Sequence, residues 1–254
     1  MDNAIGQIAR WLTDAERAVV FTGAGISTES GIRDFRSPGG VWATSQPVYF
    51  DDFLASAEAR NEYWRQKTAA HPEFAQARPN SAHQIISQWE SAGIVRGVIT
   101  QNIDGLHQQA GSQHVLELHG TAREVACLSC SQRWDADRWV ERFSETHLAP
   151  ACPECSGHLK HATVSFGQSL PTDVLEEAGR LAGEADLFLV LGSSLAVYPA
   201  AGLPELAHQR GAHLVILNRT ETPLDSLADI VLRGELGGLV EQIEQQRTEL
   251  TTSS

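Results

Sequence analysis

The sequence predicts an α/β protein built on a doubly wound parallel sheet, with a helical module and a small metal-binding lobe set into it. Short apolar runs rich in β-branched residues recur at 18–21, 94–100, 186–191 and 213–217, as strands covered on both faces require. Segments with helical spacing alternate with them, which makes parallel strands with right-handed crossovers the simplest topology. The rhythm breaks at residues 121–162, where all four cysteines fall in two Cys-x-x-Cys pairs.

In chain order, Ile5, Ile8, Trp11 and Leu12 lie at helical spacing and predict an amphipathic first helix. The strand at 18–21 runs into Gly23-Ala24-Gly25, a glycine turn that leads toward a helix start. Residues 47–78 are aromatic and polar with mild helical periodicity and predict a small helical module. Asn80 is placed to cap a helix running through Trp89. The strand at 94–100 stops at Gln101, Asn102, Ile103 and Asp104; a second at 115–118 stops at His119 and Gly120. After the cysteine segment, 162–167 alternates as a strand returning to the sheet. Then come a helix at 172–183, the clearest buried strand at 186–191, a helix at 199–210, a strand at 213–217, a short strand at 228–232 and a helix from 236 to 250 with a polar end.

The bulk numbers set limits. With 254 residues there is room for one large domain, or a large and a small one, and a 42% apolar share is enough for a substantial core. A formal charge of −13 argues against nucleic-acid binding through a general basic surface. The first 17 residues are mixed in charge and do not read as a signal peptide. The most apolar stretch, 187–204, is interrupted by Gly192, Ser193, Ser194 and prolines, so no membrane span is expected. Paired cysteines fit zinc in a reducing compartment better than disulfides, and a cytoplasmic location is expected.

In open parallel sheets, ligands bind beyond the carboxyl ends of the strands. Asn102, Asp104 and His119 are therefore expected to face one cleft. Gly23 and Gly25 match the first two glycines of a phosphate-cradling turn, but Thr28 stands at the third position. A tight strand-to-helix turn explains that piece equally well. The segment 31–40, with Arg33, Asp34, Phe35 and Arg36, reads as a flap over a charged cofactor, because Phe35 in a polar loop needs something to cover. The pairs Cys127/Cys130 and Cys152/Cys155 are separated by 21 residues. Four thiolates close a tetrahedral zinc shell, so this metal is expected to be structural. Such a site contributes on the order of 10 kcal/mol to the folding of its module.

Seven separated motifs now stand in order: GAGIS at 23–27, DFR at 34–36, TQNIDGLH at 100–107, HG at 119–120, the two cysteine pairs, GSSL at 192–195, and Asn218. In that order and spacing, from about residue 4 to 245, the chain resembles the sirtuins, NAD-dependent protein lysine deacylases, in a bacterial-type form. The resemblance implies a Rossmann-like NAD-binding large domain (1–36, 81–120 and 163–247), a helical module (37–80), a zinc-binding lobe (121–162) and a flexible tail (248–254). It implies two substrates, NAD and an acyl-lysine protein or peptide, entering one cleft from opposite sides, with no nucleic acid and no membrane involved. By position, Gly23, Ala24, Gly25, Thr28, Asp34, Phe35 and Arg36 would hold the pyrophosphate and nicotinamide side. Gln101, Asn102, Ile103 and Asp104 would line the ribose and nicotinamide pocket. Gly192, Ser193, Ser194, Asn218, Arg219 and Leu236 would take the adenosine half. Tyr63, Val164, Phe166, Gly167 and Val197 would meet the acyl-lysine. His119 matches the family's catalytic base, with Asn102 beside it in the catalytic pair.

The implied chemistry suits these residue types. The acyl oxygen attacks the ribose carbon that bears nicotinamide, and His119 then deprotonates a ribose hydroxyl, giving nicotinamide, free lysine and O-acyl-ADP-ribose. An ordinary imidazole titrates near ~6.5, the right region for this task. Mono-ADP-ribosyl transfer to protein uses the same pocket, and a non-enzymatic NAD-sensing module is the third reading. The chain also departs from the family. Arg33 stands where proline is usual and would have stiffened the flap. The segment 159–168 replaces the usual proline-aspartate-valine and final glutamate. Family members that remove succinyl or malonyl groups carry a tyrosine and an arginine three residues apart; here Tyr63 is followed by Gln66. Neutral acyl groups, acetyl or longer, are therefore expected, with Arg65 and Lys67 the cations near enough to change that.

Overall fold

A computed structural model describes residues 2–34, 39–40 and 46–252 of the chain. Helix α1 (Asp2–Asp14) leads into β1 (Ala18–Thr22), and a 3-10 helix (Ala24–Ser30) follows the glycine turn. The helical module consists of α2 (Phe50–Ala55) and α3 (Ala57–Gln76). Then come α4 (Ser81–Ser91), β2 (Val95–Thr100), α5 (Leu106–Ala110) and β3 (Val115–Glu117). The cysteine segment is built on β4 (Gly120–Cys127), β5 (Arg133–Asp135), α6 (Ala136–Thr146) and β6 (Leu159–Thr163). The chain finishes with α7 (Thr172–Glu184), β7 (Leu187–Leu191), α8 (Gly202–Gln209), β8 (His213–Leu217), β9 (Ile230–Leu232) and α9 (Leu236–Thr252).

Six strands form one parallel sheet in the order β3-β2-β1-β7-β8-β9. The order runs outward in both directions from the β1–β7 pair, so a crevice opens where the chain switches sides. Side-chain alternation explains why the apolar runs are continuous. Ala18 and Val20 of β1 and Leu187, Leu189 and Leu191 of β7 face one core, with α1, α4 and α9 packed on it. Val19, Phe21, Phe188 and Val190 face the opposite core, covered by α7 and α8. Asn80 caps α4 as expected, its side-chain oxygen accepting from the His83 backbone N–H at 3.3 Å. Trp89 Nε1 donates to Glu244 Oε2 at 2.7 Å and ties α4 to α9.

Two sequence expectations change. The strand expected at 162–167 lies earlier, at 159–163, and joins a separate antiparallel sheet in the order β5-β4-β6. Beyond Thr163 the chain turns: Gln168 N donates to Ser165 O at 3.0 Å, and Ser165 N to Gln168 Oε1 at 3.1 Å. The flexible tail expected from 248 is instead helical through Thr252, as α9 continues to its polar end.

The small sheet, α6 and the helical module share one apolar cluster containing Phe53, Tyr63, Trp64, Val125, Trp139, Phe143 and Leu159. Trp64 Nε1 donates across it to Leu159 O at 3.0 Å. The module and the lobe are thus one packed body beside the large sheet. Two strands link lobe and sheet at a single place. Gly120 pairs with Thr163, and Val164 N donates to His119 O at 2.8 Å. Gly120 sits at φ 68°, and a Cβ there would collide with the Ala162 carbonyl, so only glycine fits this crossing.

Candidate functional site

The strand ends build the site. Past β1, Gly23 and Gly25 lie against the turn that follows β7, where Gly192 adopts φ 67°. Gly25 N donates to Gly192 O at 2.8 Å, and a Cβ on Gly25 would stand 2.8 Å from Gly192 Cα. The glycines therefore let two loops touch over the crevice. Past β2, Gln101 N donates to Thr22 O at 3.0 Å and Gln101 Nε2 to Ser193 Oγ at 2.7 Å. The ends of β1, β2 and β7 are thereby fastened together at their ligand-facing edge.

A cavity of about 980 Å³ opens there, between the sheet edge and the small body. Such a volume suits a dinucleotide half-enclosed by protein. Its wall includes Gly23, Ala24, Gly25, Thr28, Asp34, Gln101, Asn102, Ile103 and His119. Gly192, Ser193, Ser194, Asn218, Arg219 and Leu236 line it too, as do Tyr63, Val164, Phe166, Gly167 and Val197. Phe35 and Arg36, expected in the cofactor flap, lie outside the described residues.

Asp104 does not line the cavity. It is 3% exposed and sits beneath the wall. Its Oδ2 accepts from Ser27 Oγ at 2.7 Å and its Oδ1 from Leu106 N at 2.9 Å, so it holds the start of α5. The cleft-facing place expected for Asp104 is thus not the one it takes: its carboxylate turns inward, to the serine of the glycine turn and the start of α5. Asn102 does face the cavity. Its amide Nδ2 donates to Gly23 O and to Ser27 Oγ, both at 3.1 Å, and its N–H to Thr100 Oγ1 at 3.0 Å. Ser27, which sequence reasoning left unassigned, is the link that fixes Asn102 and Asp104 together. The only signal for it was its place in the glycine turn.

His119 joins the same cavity wall at the residue before Asn102. Its Nδ1 meets the Gln101 carbonyl oxygen at 2.9 Å. A ring nitrogen against a carbonyl carries the proton, so Nε2 of the neutral ring is an acceptor. Burial holds the His119 pKa below the ordinary histidine value, with the Gln101 carbonyl opposing part of that shift. The imidazole is accordingly neutral at pH 7, the state a general base requires.

The residues expected to meet the acyl-lysine have backbone and ring partners of their own. Val164 N is occupied by His119 O, and Phe166 O accepts from Phe50 N at 2.9 Å. The Phe166 ring lies 5.9 Å from that of Tyr49. Gln66 also lines the wall, and its Nε2 is committed to Glu62 Oε1 and to Gln46 O. Arg65 is paired with Glu62 through two hydrogen bonds and is not part of the wall, whereas Lys67 is. Arg33 is bonded to the helical module, where its Nε and Nη2 both donate to Glu73 Oε1 at 2.9 and 2.6 Å.

On the lobe, the Sγ atoms of Cys127, Cys130, Cys152 and Cys155 all lie within 4.8 Å of one another. Cys127 and Cys155 are 3.5 Å apart, Cys130 and Cys152 3.7 Å. A tetrahedron with Zn–S bonds of ~2.3 Å has edges of roughly 3.8 Å. The four thiols fit one structural zinc ion, and with all four corners taken it offers no open position for catalysis.

A model of the Sir2 family matches residues 23–199. The chain is 48% identical over 240 residues to a protein of Rhodopseudomonas palustris named NAD-dependent protein deacetylase, covering 93% of this chain and 94% of that one. It is 40% identical to the NAD-dependent protein deacylase 2 of Archaeoglobus fulgidus, over 98% of this chain and all of the other. Among solved structures, one described under "Structural Basis for the Mechanism and Regulation of Sir2 Enzymes" superimposes with a TM-score of 0.88 at 40% identity, covering 98% of this chain and 100% of that one. A second, "Sir2-p53 peptide-NAD+", gives a TM-score of 0.86 at 36% identity over 97% and 98% of the two chains.

Proposed function

The chain belongs to the Sir2 family, and from that premise we propose that its cavity takes an acyl-lysine protein and NAD and, with one water consumed and nicotinamide released, transfers the acyl group from the lysine to the ADP-ribose part of the dinucleotide. The activity is NAD-dependent protein deacylation. NAD supplies the electrophilic ribose carbon; the chain's own residues bind, orient and move a proton. The observation that carries the reading is that Asn102 and a neutral His119, the latter anchored to the carbonyl of the residue before Asn102, share one cavity.

We assign the roles residue by residue. His119 Nε2 takes the proton from a ribose hydroxyl while its Nδ1–H stays on Gln101 O. Asn102, fixed by Gly23 and Ser27, presents its amide oxygen to the ribose and nicotinamide side. Gly23, Ala24, Gly25, Thr28 and Asp34 border the pyrophosphate, with Phe35 and Arg36 adjoining in sequence. Gln101 and Ile103 line the nicotinamide end. Gly192, Ser193, Ser194, Asn218, Arg219 and Leu236 border the adenosine half. Tyr63, Val164, Phe166, Gly167 and Val197 receive the acyl-lysine. The large sheet with its helices is the dinucleotide half of the molecule, and the zinc lobe with the helical module supplies the facing wall. Acetyl and other neutral chains are the substrates we expect first. No helix among the described residues is long and apolar enough to cross a membrane.

The test is nicotinamide release from NAD with and without acetyl-lysine peptide, with the acyl product identified by mass spectrometry. Release that depends on the peptide, giving O-acyl-ADP-ribose, supports deacylation. ADP-ribose attached to protein instead identifies a mono-ADP-ribosyltransferase, and binding of NAD without turnover identifies a sensing module.

A further inference from the structure

A buried histidine outside the cavity wall is wired to the residues inside it. His107, on α5, is 1% exposed and does not line the cavity. Its Nε2 lies 3.0 Å from Thr22 Oγ1, at the end of β1. The Thr22 hydroxyl gives its own proton to Thr100 Oγ1, at the end of β2, over 2.8 Å. Thr22 Oγ1 is therefore an acceptor toward the ring, and Nε2 carries the His107 proton. Burial, with the nearby His83 adding to it, holds the His107 pKa well below the ordinary histidine value, so the ring is neutral. A neutral imidazole has one N–H, and this one is committed to Thr22. His107 Nδ1 has no hydrogen-bond partner among the described residues. The side chain's one hydrogen bond thus leads toward the site.

The relay ends on a peptide unit that both proposed catalytic side chains share. Thr100 Oγ1 accepts a second hydrogen bond, from the Asn102 backbone N–H at 3.0 Å. The same peptide unit carries the Gln101 carbonyl, which holds His119 Nδ1 at 2.9 Å. Because the peptide is planar, turning its N–H turns its carbonyl with it. Engaging the N–H also polarises the carbonyl and strengthens what that oxygen accepts. Thr22, Thr100, Asn102 and His107 are all buried, so water does not compete for these bonds. Packing alone does not call for a buried imidazole whose single hydrogen bond runs through two threonines to the backbone that supports His119.

We propose that His107 is a positioning residue for acyl transfer: through Thr22 and Thr100 it holds the Gln101–Asn102 peptide, and with it His119 and Asn102, in the reacting geometry. This rests on the deacylase reading and adds to it a residue that touches neither NAD nor peptide.

The experiment measures nicotinamide release with acetyl-lysine peptide for His107→Leu, His107→Gln, Thr22→Val and the Thr22→Val/His107→Leu double variant. Each is assayed where its melting curve shows it folded, and Thr22→Val breaks the relay with the histidine left in place. Loss of one neutral hydrogen bond from the relay is expected to lower kcat roughly tenfold. KM for NAD and for peptide is expected to stay within about threefold of wild type, since neither substrate meets His107. His107→Gln, which keeps an N–H donor near the place of Nε2, is expected to retain most of kcat. Links of one relay do not add, so the double variant is expected to lose no more than about threefold beyond Thr22→Val alone. In the protein without substrates, the Asn102 backbone amide proton is expected to move upfield in both His107→Leu and Thr22→Val, read by NMR with asparagine labelled.

A kcat within about twofold of wild type in both His107→Leu and Thr22→Val, with only melting lowered, assigns the histidine to packing and overturns the proposal. So does a double variant whose losses multiply, an equal loss in His107→Gln and His107→Leu, or an Asn102 resonance that does not move. A wild-type protein that releases no nicotinamide with the peptide overturns the deacylase reading, and this proposal with it.

Discussion

Replacing Ser27 by alanine removes one hydroxyl and exposes the logic of the buried network under the site. The hydroxyl is 1% exposed. It donates to Asp104 Oδ2 at 2.7 Å and accepts from Asn102 Nδ2 at 3.1 Å. Without it, one oxygen of a buried carboxylate has lost its donor, and the Asn102 amide keeps only Gly23 O. A hydrogen bond to a charged group is worth about 1.5–3 kcal/mol and a neutral one about 0.5–1.5. Their sum gives a destabilisation of roughly 2–4 kcal/mol. For a chain of this size each kcal/mol moves Tm by about 2–4 °C, so melting is expected roughly 8 °C lower. Asn102 also loses half of its anchoring, and kcat/KM is expected to fall by about tenfold through misorientation. Urea unfolding of Ser27→Ala, Asp104→Asn and the double variant, with nicotinamide release in parallel, measures all of this. The two substitutions share a contact and should couple by about 1–2 kcal/mol. Strict additivity, or a loss below about 0.5 kcal/mol for Ser27→Ala, refutes the reasoning.

Three other outcomes are expected. Because burial lowers the His119 pKa, the acid limb of the kcat/KM profile should lie below the ordinary value of ~6.5, and His119→Ala should reduce kcat by about 10²–10⁴-fold with little change in melting. A limb at or above the ordinary value contradicts the assignment. Stability should fall with acid: His83 is fully buried and its pKa is pushed down to about 4 by burial, with Asp104 opposing part of the shift. Below the unfolded value of ~6.5 the unfolded chain binds the proton and the folded one does not, so the unfolding free energy drops as pH falls toward the folded value, by about 2 kcal/mol at pH ~5. Buried His107 and His161 act in the same direction. Urea midpoints against pH check this, and His83→Gln should flatten the curve. Finally, a strong chelator should release one zinc per chain and abolish acyl-peptide turnover; full activity with the metal gone would contradict a structural role.

The parallel sheet was legible because every central strand carries its burial on both faces, as β7 does with Leu187, Phe188, Leu189, Val190 and Leu191. The cysteine pairs were legible by spacing alone. The small sheet was not. Its central strand, 120–127, mixes Arg123 and Glu124 with apolar residues, and its partner was sought three to four residues too late because Thr163-Val164-Ser165-Phe166 keeps alternating past the point where pairing ends. Asn102 and His119 were readable as polar residues at strand ends. Asp104, two positions after Asn102, was misplaced because a strand end says nothing about which polar side chain turns inward to a helix start. Lys67 was named only as a cation within reach; its helical position beside Tyr63 decides that it lines the wall, while Arg65 faces Glu62.

The chain leaves the large sheet at His119-Gly120 and returns at Thr163-Val164, and those two passages are bonded to each other. The imidazole therefore stands on the doorstep through which the whole cysteine segment goes out and comes back. Loosening the thiolate cluster is therefore expected to disturb the hydrogen bond between that ring and the Gln101 carbonyl. On the proposed role of His119, metal loss would then act on proton transfer through two strands of backbone, with the four thiols themselves on the lobe.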